Sequence, residues 1–174
     1  MSGPSESVEL SEYDPSWAEV FEEEKGRLSA IFDGQAIGIE HVGSTSVPDL
    51  CAKPIVDMLV GLEALDLSAE QVAAMQELGY EYLGEYGLPG RLFFRKEPLT
   101  HHVHVVRHGG EHWDRQLTFR EALRTDADER RRYEAFKRKL VAEGHSREVY
   151  TDLKTPFIRE IEARARARGV RPIV

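Results

Sequence analysis

Residues 39–60, IEHVGSTSVPDLCAKPIVDMLV, decide how the rest of the chain is read. An apolar run ends in Gly43-Ser44, a short polar connection follows, and a second apolar run carries one carboxylate, Asp57. A Gly-Ser pair after a strand lets the backbone come close to an anion, and the N–H groups of a starting helix point at it. A carboxylate on the next strand is placed to hold a divalent metal against those same phosphates. Together the two features suggest a nucleotide site. An ordinary strand–helix–strand unit has the same spacing, with glycine supplying the turn and serine capping it.

Working outward, Asp14-Pro15-Ser16 opens a helix in which Trp17, Val20, Phe21, Leu28 and Ile31 form an apolar stripe. Residues 36–42 and 55–61 read as strands around a short helix or turn over 44–50. A helix over 68–78, stopped by Gly79, precedes strands over 80–86, 91–96 and 101–107, with Gly87-Leu88-Pro89-Gly90 as the first turn between them. From Glu111 the pattern is helical. One helix ends before Thr125, Asp126 and Glu129 form a capping box for the next, and Gly144 ends it. The last segment starts at Ser146. Pro156 is expected to break it, with Thr155-Pro156 capping a new helix that runs to Arg168.

Residues 1–8 read as a disordered tail and 9–174 as one domain. The expected class is α/β (α+β): a mixed sheet of about five strands, helices on one face and a helical C-terminal half. A net charge of −8 argues against wholesale binding of nucleic acid or an acidic membrane, although the C-terminal run Arg164, Arg166, Arg168 complements a helix end. No apolar run is long enough to span a bilayer, and the start, MSGPSESVEL, lacks the regions of a signal peptide, so the expected location is the cytosol. The single Cys51 excludes an intramolecular disulfide and is given no catalytic role.

The run His41-Val42-Gly43-Ser44-Thr45-Ser46-Val47-Pro48, followed by Ala52-Lys53-Pro54-Ile55-Val56-Asp57, resembles the signature of GrpB-type proteins. Further matches are Pro89-Gly90-Arg91 with Phe94-Arg95-Lys96, His102-Val103-His104-Val105, and Tyr150 with Lys154-Thr155 and Phe157-Ile158. The resemblance implies a place in the polymerase-β-like nucleotidyltransferase superfamily. There a Gly-Ser turn grips the triphosphate, and carboxylates on the following strands bind Mg²⁺. In some chains such a domain is fused to a dephospho-coenzyme A kinase, but nothing here encodes a kinase P-loop.

On this reading Gly43, Ser44 and Thr45 orient the phosphates. Asp57, costly in an apolar run unless paired or metal-bound, anchors the metal and is the catalytic candidate. Superfamily enzymes place a second carboxylate two residues later, where this chain has Leu59. His102 and His104 share a strand face, and with Asp57 they make a set that favours a transition metal, Zn, Mn or Fe rather than Mg. The alternative is that both imidazoles hydrogen-bond Asp57 without metal. Lys53, Arg91 and Lys154 are placed to meet phosphate oxygens, Arg91 being preferred to Arg95, and Tyr150 and Lys154 to close over the site. The histidine run also resembles the histidine-triad hydrolases, which need a third His where Val106 stands. His101, His108 and His112 share no register with the pair and read as loop or surface residues. The expected ligand is a nucleotide or other phosphate-bearing small molecule with a divalent metal (Mg, Mn or Zn). The expected activity is nucleotidyl transfer from an NTP, with a non-catalytic binding module as alternative and a metal-dependent phosphohydrolase as third reading. The chain sets no acceptor and no oligomeric state.

Overall fold

Asp14 accepts a hydrogen bond from the Ser16 amide at 2.9 Å and so opens the first helix, α1 (Ser16–Ile31), at the Asp-Pro-Ser sequence. The computed structural model describes residues 7–172. After α1 come β1 (Ala36–Val42), a 3-10 turn (Ser44–Ser46), β2 (Val56–Leu62), α2 (Ala69–Glu77), β3 (Tyr80–Tyr82), β4 (Arg91–Lys96) and β5 (His101–Arg107). Three helices follow: α3 (Glu111–Thr125), α4 (Ala127–Ala142) and α5 (Arg147–Ala167). The sheet order is β1-β2-β5-β4-β3. β2 and β5 run parallel, and the other neighbours are antiparallel, so the sheet is mixed.

The pleat divides the two central strands cleanly. Met58, Val60, Val103 and Val105 face α1 and α2, where they meet Trp17, Phe21, Leu28 and Met75. Leu59 and Val106 point the other way and pack with Val42 under Trp113 and Leu117 of α3. Helices therefore cover both faces, not the one face expected from sequence. The reason is that a central parallel pair is apolar on both sides and each side needs a cover. Trp113 can lie directly on the strands because Gly38 and Gly61 have no side chains; an added Cβ would stand 2.8 and 2.6 Å from its ring.

A separate cluster joins the β1–β2 connection to the helical half: Val47 and Leu50 pack with Phe119, Leu123, Tyr133 and Ile161. Three sequence expectations change. The strand over 80–86 stops at Tyr82, because the chain turns through Gly84 (φ +59°) and Tyr86 (φ +47°). Pro156 does not break the last helix, and no new helix starts at Thr155. Pro156 lies on the exposed side, where water can serve the carbonyl its ring leaves unpaired. Ile161 and Ala165 are buried in the helical cluster while Tyr150 is buried beside Val8 and Leu140, so both halves of α5 are anchored. Of the expected tail, Ser7 bridges Ser146 and Val8 is buried, while residues 1–6 lie outside the described residues. No helix is long and apolar enough to cross a membrane among the described residues.

Candidate functional site

Strand register sets the floor of the site. Asp57 on β2 lies beside His102 on β5, and Leu59 lies beside His104. Asp57, His102 and His104 all project from the α3 face of the sheet, but beyond the area that Trp113 covers. Asp57 Oδ1 is 3.1 Å from His104 Nε2 and 3.3 Å from His102 Nδ1. One ligand atom from each residue lies within 4.8 Å of the others. Ligands bound to one ion at about 2.1 Å stand roughly 3.0–3.4 Å apart, so these N···O separations match the edge of a coordination polyhedron. His104 Nδ1 is buried without a hydrogen-bond partner among the described residues, and without metal the Asp57 carboxylate accepts from Nε2–H, the proton that a bound ion would displace. The residues present therefore fit a divalent metal with mixed N and O ligands.

Charge follows the same geometry. Burial opposes ionisation of Asp57, but the imidazoles of His102 and His104 more than offset it and hold the carboxyl well below the usual range. Burial pushes His104 down, against the pull of Asp57, toward the neutral form that ligates metal. The position of the absent second carboxylate, Leu59, is wholly buried in the cluster under Trp113. Beside Leu59 in register, on the neighbouring strand, stands His104.

Gly43 follows the last residue of β1 and lies against Asp57, and the segment after it is a three-residue 3-10 turn instead of a helix. It is too short to carry a helix dipole, so any grip on phosphate rests on individual N–H and hydroxyl groups. Two arginines of α3 hold this turn from outside. Arg120 Nη1 donates to the His41 carbonyl at 3.0 Å and pairs with Glu40, and Arg124 Nε donates to the Ser46 carbonyl at 2.9 Å. Thr45 is spent on structure: its hydroxyl donates to the Ile55 carbonyl at 3.3 Å and lies 2.9 Å from His41 Nε2. His41 is stacked on Phe21, and burial lowers its pKa to about 4. Ser44 Oγ instead accepts a hydrogen bond from Lys137 Nζ at 3.0 Å.

Above this floor opens a cleft of about 830 Å³, walled on the far side by α4 and α5. Lys53, Lys137 and Lys154 reach it from three elements. Lys53 and Lys154 place their ammonium groups 5.3 and 4.7 Å from the centre of the same ring, Tyr150. Lys137, only 1% exposed, lies 4.9 Å from the centre of the Tyr133 ring and also donates to the Cys51 carbonyl. None of the three is ion-paired to a carboxylate among the described residues. Burial pushes Lys137 down to about 8; burial, then repulsion from Lys53 and Lys137, pushes Lys154 down to about 7. Eight Lys and Arg side chains against four Asp and Glu line the cleft, in a chain whose net charge is −8.

Other candidates fall into place around it. Arg91 lines the cleft, with its guanidinium over the Phe93 ring at 4.7 Å and bonded to the carbonyls of Glu85 and Tyr86. Arg95 pairs with Glu81 and Glu97. His112, expected at the surface, also lines the cleft and bonds the Pro89 carbonyl at 2.7 Å; His108 packs on Trp113. Cys51 is buried and its thiol is pushed up to about 11 by burial, which leaves it unreactive. Sequence reasoning missed Lys137. Its one signal is spacing: with Tyr133 and Leu140 it forms a stripe at i, i+4 and i+7, the buried face of α4.

A protein-family model described as GrpB protein matches residues 7–164. The chain is 37% identical to UPF0157 protein YqkA of Bacillus subtilis (strain 168) over 166 residues, which are 94% of this chain and 48% of that protein. It is also 37% identical to UPF0157 protein BH1888 of Halalkalibacterium halodurans, covering 92% of this chain and 84% of that one. The chain therefore spans about half the length of YqkA and most of BH1888. Among solved structures, the crystal structure of conserved protein GrpB from Enterococcus faecalis superposes with a TM-score of 0.77 at 40% identity, over 90% of this chain and 96% of that chain.

Proposed function

The chain belongs to the GrpB family, and from that premise and the charge of its cleft we propose that it binds a nucleotide or other phosphate-bearing ligand above Asp57, His102 and His104. One observation carries this reading: three buried or half-buried ammonium groups without ion pairs converge over a floor of metal-type ligands. Uncompensated charge of this kind is costly in the free protein, and an anion relieves it.

Each group has a distinct task. Ser44 Oγ accepts from Lys137, and its own proton, which otherwise meets the Tyr133 hydroxyl, turns to donate to a phosphate oxygen. Lys53 and Lys154 neutralise the next phosphates along the chain of the ligand. Asp57 Oδ1, His102 Nδ1 and His104 Nε2 would hold a divalent ion, Zn²⁺ or Mn²⁺ before Mg²⁺, which acts as a Lewis acid on a phosphoryl oxygen. The reaction assigned to the site is nucleotidyl transfer from an NTP: the acceptor oxygen forms a P–O bond at the α-phosphorus, its proton passes to solvent, and pyrophosphate leaves. Leu59 favours a second reading, a ligand-binding module without turnover, because only one carboxylate meets the ligand from β2.

Calorimetric titration of the full chain with ATP, and separately tripolyphosphate, each with Zn²⁺, Mn²⁺ or Mg²⁺, tests both readings. Binding that metal strengthens in the wild type, with that gain lost in Asp57→Asn, supports the site. Pyrophosphate release by the wild type, lost in the variant, selects transfer, and binding without release selects the module. No binding of either probe with any of the three metals overturns the proposal.

A further inference from the structure

We propose that Tyr86 is a stacking platform for the planar ring of the ligand, so that the cleft takes nucleotides in preference to simple phosphates; this rests on the phosphate reading above. Tyr86 is an exposed aromatic at the cleft rim, with 58% of its surface open. One face of its ring lies on Phe93, with centroids 5.6 Å apart and planes 26° apart. Phe93 itself is buried and already contacts the guanidinium of Arg91 and the rings of His102 and His104. The open side of the Tyr86 ring is therefore the outer end of an unbroken aromatic run that begins at the metal-type ligands.

The backbone holds Tyr86 there at a cost. Its φ of +47° is left-handed, a conformation that a bulky residue rarely adopts. The surrounding loop is tied down on both sides of it. Arg91 Nη2 donates to the Glu85 and Tyr86 carbonyls at 3.1 and 3.2 Å, and the Gly90 amide donates to Glu85 Oε1 at 3.1 Å. His112 secures the same loop at Pro89. Strain maintained by several surrounding bonds, and ending in an exposed ring, has the form of a prepared contact. Only Phe93 separates that ring from His104, through ring contacts of 5.6 and 5.2 Å. A sugar can bridge that interval, with the base on Tyr86 and the first phosphate over Asp57. Every nucleobase has a π-face, so a platform of this kind selects for a ring without selecting strongly among bases.

The experiment compares ATP and UTP with tripolyphosphate, which carries the phosphate chain and no ring, in wild type, Tyr86→Ala and Tyr86→Phe by calorimetry with Mn²⁺. Stacking on one aromatic predicts that wild type and Tyr86→Phe bind both nucleotides about tenfold more tightly than tripolyphosphate. Tyr86→Ala should lose that preference and keep its affinity for tripolyphosphate. Equal wild-type affinity for nucleotide and tripolyphosphate, or a preference that survives in Tyr86→Ala, overturns the platform alone. Failure of the wild type to bind tripolyphosphate and nucleotide alike overturns the phosphate site beneath it.

Discussion

A Cβ added to Gly43 would lie 2.7 Å from Asp57 Oδ2, well inside van der Waals contact, and Gly43 holds a φ of +72°. The end of β1 and the carboxylate of β2 are packed as one unit, and only glycine permits both the contact and the turn. Gly43→Ala is expected to destabilise the fold by roughly 1–3 kcal/mol through its backbone, and to turn Asp57 away from the two imidazoles. Thermal unfolding with and without Zn²⁺ reads both effects. A variant that keeps the wild-type rise in Tm on adding Zn²⁺ would show that Asp57 tolerates the shift.

Lys137 carries a pH signature. Burial lowers its pKa to about 8 in the folded chain, against 10.5 for an ordinary lysine. Below pH 8 both states hold the proton and the folded state bears the cost of burying it. Between about 8 and 10.5 the unfolded chain binds more protons than the folded one, so stability rises with pH, by at most about 1.4 kcal/mol per unit. The stability of the wild type relative to Lys137→Met should therefore improve across that window, as measured by urea denaturation. A difference that does not move with pH would sink the assignment.

Lys154 should govern affinity rather than stability. In the free protein burial and two neighbouring lysines bring it to about 7, so its charge is lost as pH rises through neutrality. An anion restores the proton and binds more weakly once it must do so. The ratio of tripolyphosphate affinity in wild type to that in Lys154→Arg is expected to fall between pH 6.5 and 9, since arginine stays charged. Taking the ratio cancels the ionisation of the ligand. A constant ratio would place Lys154 outside the contact.

On the opposite face of the sheet, Glu24 is wholly buried and accepts from Tyr80 at 2.7 Å, Lys96 at 2.7 Å and Arg27 at 2.8 Å. Burial opposes its charge, but these partners more than offset it and lower the pKa to about 2. A depressed carboxyl contributes stability that is fully present above its unfolded pKa of 4.5 and is lost as pH falls toward 2. Glu24→Gln should lose roughly 3 kcal/mol at pH 7 and show a much flatter acid limb in denaturant titrations between pH 5 and 2. An unchanged acid limb would point to another group.

Much of this molecule is legible in short stretches. The Gly43-Ser44 turn, the lone Asp57 in an apolar strand and the alternation of His102 with His104 are local patterns, because a strand puts every second side chain on one face. The capping of α2 by Ser68 and of α4 by Asp126 is local in the same sense. Pro156 misleads for a related reason: its effect on a helix depends on whether water can reach the carbonyl it leaves unpaired, and that depends on which side of α5 is covered.

By itself the sequence determined the order of elements, the strand faces and the residue types available to the site, since backbone propensity and side-chain period act over a few residues. Only the tertiary structure decided that β2 and β5 are parallel neighbours in the register that brings Asp57 to His102 and His104. It alone placed Lys137, 93 residues from Ser44, against the Ser44 hydroxyl, and put Lys53 and Lys154 over one tyrosine ring. In RRRYEAFKRKL one lysine resembles the next until α4 packs. Burial and proximity are properties of the packed chain, and they separate a solvated charge from one held in the interior.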